Sequence, residues 1–254
     1  MCAVDNLAKF QQQLLYDPDA NILIDTNDTN KIKMTPTETA SKTLPIAQTQ
    51  LIQPAAVAWP KRALDLIGAT LGIGLILPLV PLIAIAIKIG TRGPILVKLE
   101  RVSRNRIISL YKFRTMVADA HRLKPALAHL NERRDGPFFK IKNDPRLTRI
   151  GRLLRKFRID EFPQLINVLK GELALVGPRP HEPEEILHYP EEYRHIIFAK
   201  AGVTGLSQVS GASSLPFLRE LALDSYYVKN QSLKFDLKII GKTAKILFSD
   251  PTAV

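Results

Sequence analysis

The sequence predicts a mostly helical α/β domain tied to a membrane by a bent N-terminal helix, with amphipathic helices on its surface. Three features lead there. An uncharged run is interrupted by prolines, short apolar strands and helical periods follow it, and basic residues dominate beyond the first sixty positions. The chain has 254 residues, 46% of them hydrophobic, enough for one domain of ordinary size and a tail. Its net charge is +12. Residues 1–60 hold six acids and four lysines, net −2, so the remainder carries +14. A body that basic wants an anionic partner: phospholipid, nucleic acid or a phosphorylated substrate.

Residues 1–58 read as a polar N-terminal tail. The tract from Asp25 to Gln50 is rich in Thr, Asn and Lys, has no helical or strand period, and is expected to be mostly disordered. Cys2 is the single cysteine, so no intrachain disulfide forms. The first twenty residues lack a basic start followed by an apolar run, so no cleavable secretory signal is expected.

Residues 59–90 are expected to form the membrane helix. Leu66 to Ile87 is a run of 22 residues without a charge. As a straight helix it would reach about 33 Å, roughly one bilayer core. Pro78 and Pro81 interrupt it, each removing a helical hydrogen bond and bending the axis. Both flanks are basic, Lys61 and Arg62 before, Lys88, Arg92 and Lys98 after, and the positive-inside bias favours the same side for both ends. A re-entrant helix satisfies these constraints. A kinked single span and a buried soluble helix are the alternatives.

Residues 91–248 read as a compact α/β domain, with 249–254 a short C-terminal tail. Pro94 to Leu99 and Ile107 to Phe113 are expected strands. Asp144 and Pro145 look like the N-cap and first residue of a helix. Leu147, Ile150, Leu153, Leu154 and Phe157 then keep helical spacing. Arg146, Arg149, Arg152, Arg155 and Arg158 recur every third residue, as a solvated face or as contacts to lipid or substrate phosphates. A second helix is expected from Asp160 to Gly171, with an apolar stripe of Phe162, Leu165, Ile166 and Leu169 and a polar stripe of Asp160, Gln164 and Asn167. Leu173 to Val176 reads as a buried strand. The last helix sets Lys234, Lys238 and Lys242 against Leu233, Leu237, Ile240, Ala244 and Leu247. That pattern suits an anionic leaflet, and packing on the domain would explain its apolar side equally well.

Three segments offer chemistry. Asp160 and Glu161 are either a helix cap with a dipole-matched neighbour or a nucleophile with an acid/base or metal-binding partner, with Arg155 and Arg158 near enough to hold phosphate. In Gly177-Pro178-Arg179-Pro180 the prolines fix the backbone around one guanidinium, which suits a bidentate phosphate or a base edge; an ordinary turn is the other reading. Gly202, Gly205 and Gly211 mark a loop where backbone can approach a ligand. His121, His129, His181, His188 and His195 show no metal-site spacing, and neither a zinc site, a Ser-His-Asp triad nor a phosphate loop is supported.

From about Lys61 to Phe248 the chain resembles the bacterial sugar transferase family, the monotopic polyprenyl-phosphate phosphoglycosyl transferases of glycan assembly. The blocks that carry the resemblance run in order. They are Lys61-Arg62-Ala63-Leu64-Asp65, Tyr111-Lys112-Phe113-Arg114-Thr115-Met116, Asn143-Asp144-Pro145-Arg146 and Asp160-Glu161-Phe162-Pro163-Gln164-Leu165. Asn167-Val168-Leu169-Lys170-Gly171, Val176-Gly177-Pro178-Arg179-Pro180, Gly205-Leu206-Ser207-Gln208-Val209-Ser210-Gly211 and Leu223-Asp224-Ser225-Tyr226-Tyr227 follow.

The resemblance implies an enzyme. The residue matching Asp160 attacks the phosphate on the sugar of a UDP-sugar and releases UMP, and undecaprenyl phosphate then takes the sugar phosphate. Glu161 completes the dyad, and both are expected to bind Mg²⁺. The substrate-binding set is expected to be Arg155, Arg179, Lys112, Arg114, Arg158, Gln164, Pro178, Pro180 and Gln208. The implied setting is the bacterial cytoplasmic membrane with the domain in the cytosol, contacts to anionic phospholipid, no nucleic acid, and a homodimer left open. The chain departs from the family at Leu77-Pro78, where a serine usually precedes the proline, at Ala201 and Ser207 in the block around Gly202 and Gly205, and at Ala212, often basic. A catalytically silent, basic membrane-anchored protein that recruits a glycan-assembly partner is the alternative function.

Overall fold

The computed structural model describes residues 59–211 and 214–249, together with 16–17 and 22–23. The chain divides into two units, residues 1–50 and 51–254. In the first, β1 (Tyr16–Asp17) pairs antiparallel with β2 (Ile22–Leu23). The rest of the polar tail expected at 1–58 lies outside the described residues, as does 250–254 at the other end.

The second unit begins with helix α1 (Trp59–Ile76), which passes through a 3-10 turn at Leu77–Leu79 into α2 (Val80–Gly90). The interruption falls at Pro78, as a missing amide donor requires. Together the limbs make one helix long and apolar enough to cross a membrane. Ala69, Ile76, Ile83 and Ile87 are buried, while Leu66, Ile67, Leu71, Leu75, Leu77, Leu79, Leu82, Ile85 and Ile89 are exposed. The buried residues rest on the domain: Ala69 on Leu165 and Val168, Ile83 and Ile87 on Phe113 and Leu154. The basic flank before the helix is built into the fold. Lys61 is 8% exposed, and its ammonium contacts Asp236 at 2.6 Å and the Val176 carbonyl at 3.0 Å. Arg62 donates to the Val168 and Leu169 carbonyls, the C-terminal end of a helix described below, where a cation is favoured.

Next comes an antiparallel hairpin, β3 (Leu96–Ser103) and β4 (Arg106–Phe113), in register from Leu96 opposite Phe113 to Ser103 opposite Arg106. Helix α3 spans Arg149–Lys156. It starts later than Asp144-Pro145 suggests, and Thr148 is its N-cap, accepting the Gly151 N–H at 2.9 Å. The reason is tertiary. The Leu147 N–H donates to the Asp144 carbonyl at 3.1 Å and closes a turn, and Leu147 then bridges to Met116 while Val117 donates to the Arg146 carbonyl, so the helix cannot begin before Thr148. Asp144 is occupied by the Arg146 guanidinium, with contacts of 2.9 and 2.6 Å.

Helix α4 spans Gln164–Lys170 and stops at Gly171, which takes the left-handed conformation at φ 82°. It is preceded by a 3-10 turn, Ile159–Glu161, so the helix does not start at Asp160 and no side-chain cap bond forms there. The stripes are rotated from the expected ones. Gln164, Leu165, Asn167 and Val168 are buried, while Ile166 and Leu169 are exposed. Asn167 explains this: its amide donates to the Ser109 carbonyl at 2.8 Å and its oxygen accepts the Tyr111 N–H at 3.1 Å. It thereby satisfies the edge of β4 as a partner strand would. Likewise on α3 Leu154 is buried but Leu153 is exposed, as is Phe157 just past its end.

Strand β5 (Ala174–Val176) pairs parallel with β6 (Gly202–Thr204). The crossover holds α5 (Pro183–Ile186) and a 3-10 segment, Glu191–Phe198. A Cβ on Gly202 would lie 2.1 Å from the Gly177 nitrogen, so the glycines here admit neighbouring backbone rather than a ligand, which corrects the loop reading of Gly202 and Gly205. After α6 (Leu206–Val209), two helices close the fold: α7 (Phe217–Lys229) and α8 (Leu233–Ser249). On α8, Asp236 and Ile239 face inward, and Leu233 and Leu237 are exposed beside the lysines. Its expected apolar side is therefore split between core and surface.

Candidate active site

The Ile159–Glu161 turn sets two carboxylates side by side in unlike surroundings. Arg158, just before it, is left-handed at φ 53°, a conformation that costs a non-glycine residue about 1 kcal/mol. That twist reverses the chain out of α3. Asp160 ends 5% exposed, whereas the Glu161 side chain is about a third exposed. Burial dominates at Asp160 and raises its pKa; Lys112 opposes this, the Glu161 charge adds to it, and Arg155 opposes it, leaving the net shift upward. At Glu161 burial also pushes up, but Lys112, by charge and hydrogen bond, then Arg179 and Arg158 outweigh it, and the net shift is downward.

These neighbours come from four places in the chain. Lys112, on β4, puts its ammonium 2.8 Å from Glu161 Oε1. Arg155, in the last turn of α3, donates through Nε to the Thr115 hydroxyl at 3.1 Å. Arg158 sits at the turn itself. Arg179, after β5, is anchored at the main chain by Asp224 Oδ2 at 3.0 Å. The structure therefore gathers Lys112, Arg155, Arg158 and Arg179 around Asp160 and Glu161. Gln164 lies one turn beyond Asp160 and is buried. Pro178 and Pro180 bracket Arg179, and the Pro178 carbonyl accepts the Gly202 N–H at 2.8 Å, which pins the turn to β6.

Two expected substrate contacts are placed differently. Arg114 is 4% exposed and donates to the carbonyls of Thr91 at 2.8 Å and of Arg92, so it clamps the exit of α2 rather than reaching the dyad. Gln208 sits on α6 against Gly205, with its amide 3.5 Å from the Val203 carbonyl. A small cavity lined by Val102, Pro178, Arg179, His181 and Tyr189 has neither Asp160 nor Glu161 on its wall.

Comparison with known proteins decides the family. The model for the bacterial sugar transferases matches residues 56–250.

The chain belongs to the bacterial sugar transferase family.

An undecaprenyl-phosphate galactose phosphotransferase of Salmonella typhimurium is 43% identical over 159 residues, 61% of this chain and 33% of that protein. An undecaprenyl-phosphate glucose phosphotransferase of Komagataeibacter xylinus is 39% identical over 199 residues, 73% of this chain and 35% of that protein. The exopolysaccharide production protein ExoY of Rhizobium meliloti is 34% identical over 187 residues, 72% of this chain and 83% of that protein. The chain thus spans about a third of the length of the first two.

The family resemblance implies Mg²⁺, and the donor set of this bacterial sugar transferase fits one. Asp160 and Glu161 offer hard carboxylate oxygens, and an ion that keeps several waters and shares substrate phosphates needs only one or two of them. A dedicated cage is another matter: among the described residues no cluster of three or more His, Cys, Asp or Glu suits a metal. Sequence reasoning missed two features of the site. Thr115 orients Arg155, and its only signal was its place in the block from Tyr111 to Met116. Glu220, buried at 1% exposure and 3.8 Å from the Arg179 guanidinium, carried no signal.

Proposed function

We propose that this chain transfers a sugar 1-phosphate from a UDP-sugar to undecaprenyl phosphate, with Asp160 as the nucleophile. The observation that carries the reading is the divergence of the two adjacent carboxylates, Asp160 desolvated and Glu161 held ionised, under four converging cations. A desolvated carboxylate is the stronger nucleophile once ionised, and Lys112 and Arg155 favour that form. An Asp160 oxygen forms a bond to the sugar-bearing phosphorus as the bond from phosphorus to the UMP oxygen breaks, and the electron pair leaves with UMP. A phosphate oxygen of the lipid then attacks the same phosphorus, forms the lipid diphosphate, and releases the Asp160 carboxylate. Arg155, Arg158 and Arg179 hold phosphate oxygens through both steps. Asp160 and Glu161 would hold a Mg²⁺ ion, which supplies charge neutralisation at the phosphates.

The lipid substrate calls for a membrane, and the helix pair supports a re-entrant insertion. Both limbs pack on the same domain, through Ala69 near the entry and Ile87 near the exit. A plain span would carry one of those contacts to the opposite side. The exposed faces of α1 and α2 share their apolar character with Leu153 on α3 and with Phe157 just past its end, and grouped exposed apolar side chains mark a surface that meets a membrane or a partner. The domain would then lie on the cytosolic face of the inner membrane, with Lys170 and the α8 lysines toward anionic headgroups.

The direct test uses the full chain in detergent with Mg²⁺, undecaprenyl phosphate and a panel of UDP-sugars, reading UMP release. Without the lipid, a sugar-phosphate adduct on Asp160 is expected by peptide mass. UMP release without any adduct would overturn the two-step route. In a Cys2→Ser background, Trp59→Cys and Lys88→Cys should label from the same side of the membrane, and opposite accessibility would restore the plain span.

A further inference from the structure

A second carboxylate pair lies outside the dyad. Glu220 and Asp224 are one turn apart on α7, each 1% exposed. Burying two carboxylates is unfavourable unless cations and donors meet them. Here they do, and from separate parts of the chain. Glu220 Oε1 lies 3.2 Å from His181 Nε2 and 3.8 Å from Arg179 Nε, and Oε2 lies 3.7 Å from Arg133 Nη1. Asp224 Oδ2 accepts the Arg179 main-chain N–H at 3.0 Å. Arg179 is thus held twice from one helix face, by its backbone and by its guanidinium.

The grip leaves the working end of Arg179 free to reach outward. Its side chain is 39% exposed, and its charge is one of those that lower the Glu161 pKa. Glu220 Oε2 and Asp224 Oδ1 have no hydrogen-bond partner, so the arginine and its cationic neighbours are the main return for burying these groups. The base of the assembly is stiff. Arg133 also pairs with Asp135 at 3.2 Å, and Asp135 accepts the Phe217 N–H at the start of α7.

We propose that Glu220 is a positioning residue that, with Asp224, fixes the Arg179 guanidinium for the phosphates of the nucleotide sugar. This rests on the functional reading above. Without the Glu220 charge the guanidinium swings among rotamers, and the phosphate contact pays the entropy of ordering it on each binding.

The test uses the full chain in detergent and two readouts. Glu220→Gln keeps the shape and removes the charge. Modification of Arg179 by phenylglyoxal, mapped by peptide mass, should run about threefold faster in Glu220→Gln, as expected for a released ion pair. KM for the UDP-sugar should rise about tenfold with kcat changed less, and the same substitution in an Arg179→Ala background should add nothing. An unchanged labelling rate, or an equal KM loss in the Arg179→Ala background, overturns the proposal, since a merely structural Glu220 acts without Arg179. If no UDP-sugar yields UMP with the wild type, the functional reading fails and the labelling rates alone decide the tie of Glu220 to Arg179. If Glu220→Gln does not fold, Glu220→Asp, which keeps the charge one methylene short, is read by the same two measurements.

Discussion

Asp160 with Glu161 and Glu220 with Asp224 are both acidic pairs met by arginine, yet they are built in opposite ways. The first pair is adjacent in sequence and sits in a three-residue turn between two helices. Neighbouring side chains in such a turn point in different directions, so one carboxyl goes under the protein while the other reaches Lys112. The second pair is spaced i, i+4 on a 13-residue helix, so both carboxyls share one face and both go into the core. The turn separates the two groups in pKa, one raised and one lowered, the condition under which two carboxylates take different roles. The helix instead turns two buried charges into a mount for a third residue.

The contrast can be broken experimentally. The largest expected effect is at Asp160→Asn, which keeps the shape and loses the nucleophile: UMP release should fall about a thousandfold or more, with folding intact by circular dichroism. Full activity would move the chemistry elsewhere. Its counterpart in the second pair is Asp224→Asn, read as stability against pH. Burial, the largest influence, raises the Asp224 pKa from 3.8 to about 6. The folded state therefore binds this proton more tightly than the unfolded one. The stability it contributes is present below pH 3.8 and is lost as pH rises through about 6, a change of about 3 kcal/mol. Asp224→Asn should abolish that part of the slope in denaturation between those limits, and an unaltered slope would mean the group titrates normally.

Smaller effects sharpen the difference. Glu161→Gln should cost about a hundredfold in turnover, the usual worth of a single acid/base or metal-orienting carboxylate. Because Asp160 titrates above the ordinary aspartate range, the acid limb of the rate profile should also lie above that range. Glu161→Gln should shift that limb down, since the Glu161 charge helps hold the Asp160 pKa up. Arg155→Ala should raise KM about tenfold by removing one phosphate contact. Thr115→Val, which only frees the Arg155 side chain, should do less, and an equal loss from both would make Thr115 a contact in its own right.

Much of this was legible in the residues. The hairpin, the helix broken at Pro78 and the stop at Gly171 were read from local pattern, and local pattern governs them; the role of Asp160 and Glu161 as a dyad came from the family resemblance instead. The start of α3 was misread because Asp144 and Pro145 are good helix-start residues that here serve a bridge to Met116 and an ion pair with Arg146. The faces of α4 and α8 were misread because hydrophobic spacing assumes that apolar means inward, and in this chain part of the apolar surface is on the outside.

By itself the sequence determined the apolar helix broken at Pro78, the hairpin of β3 and β4, the basic body and the adjacency of Asp160 and Glu161. Each depends on residues within a few positions of one another. Only the tertiary structure decided that Lys61 is a buried partner of Asp236, that Asn167 serves β4, and that Arg114 clamps α2 while Arg179 is mounted on α7. Those roles depend on burial and on partners 22 to 175 positions away, and a charge has no fixed meaning until the fold sets how much water it keeps and which opposite charge it meets.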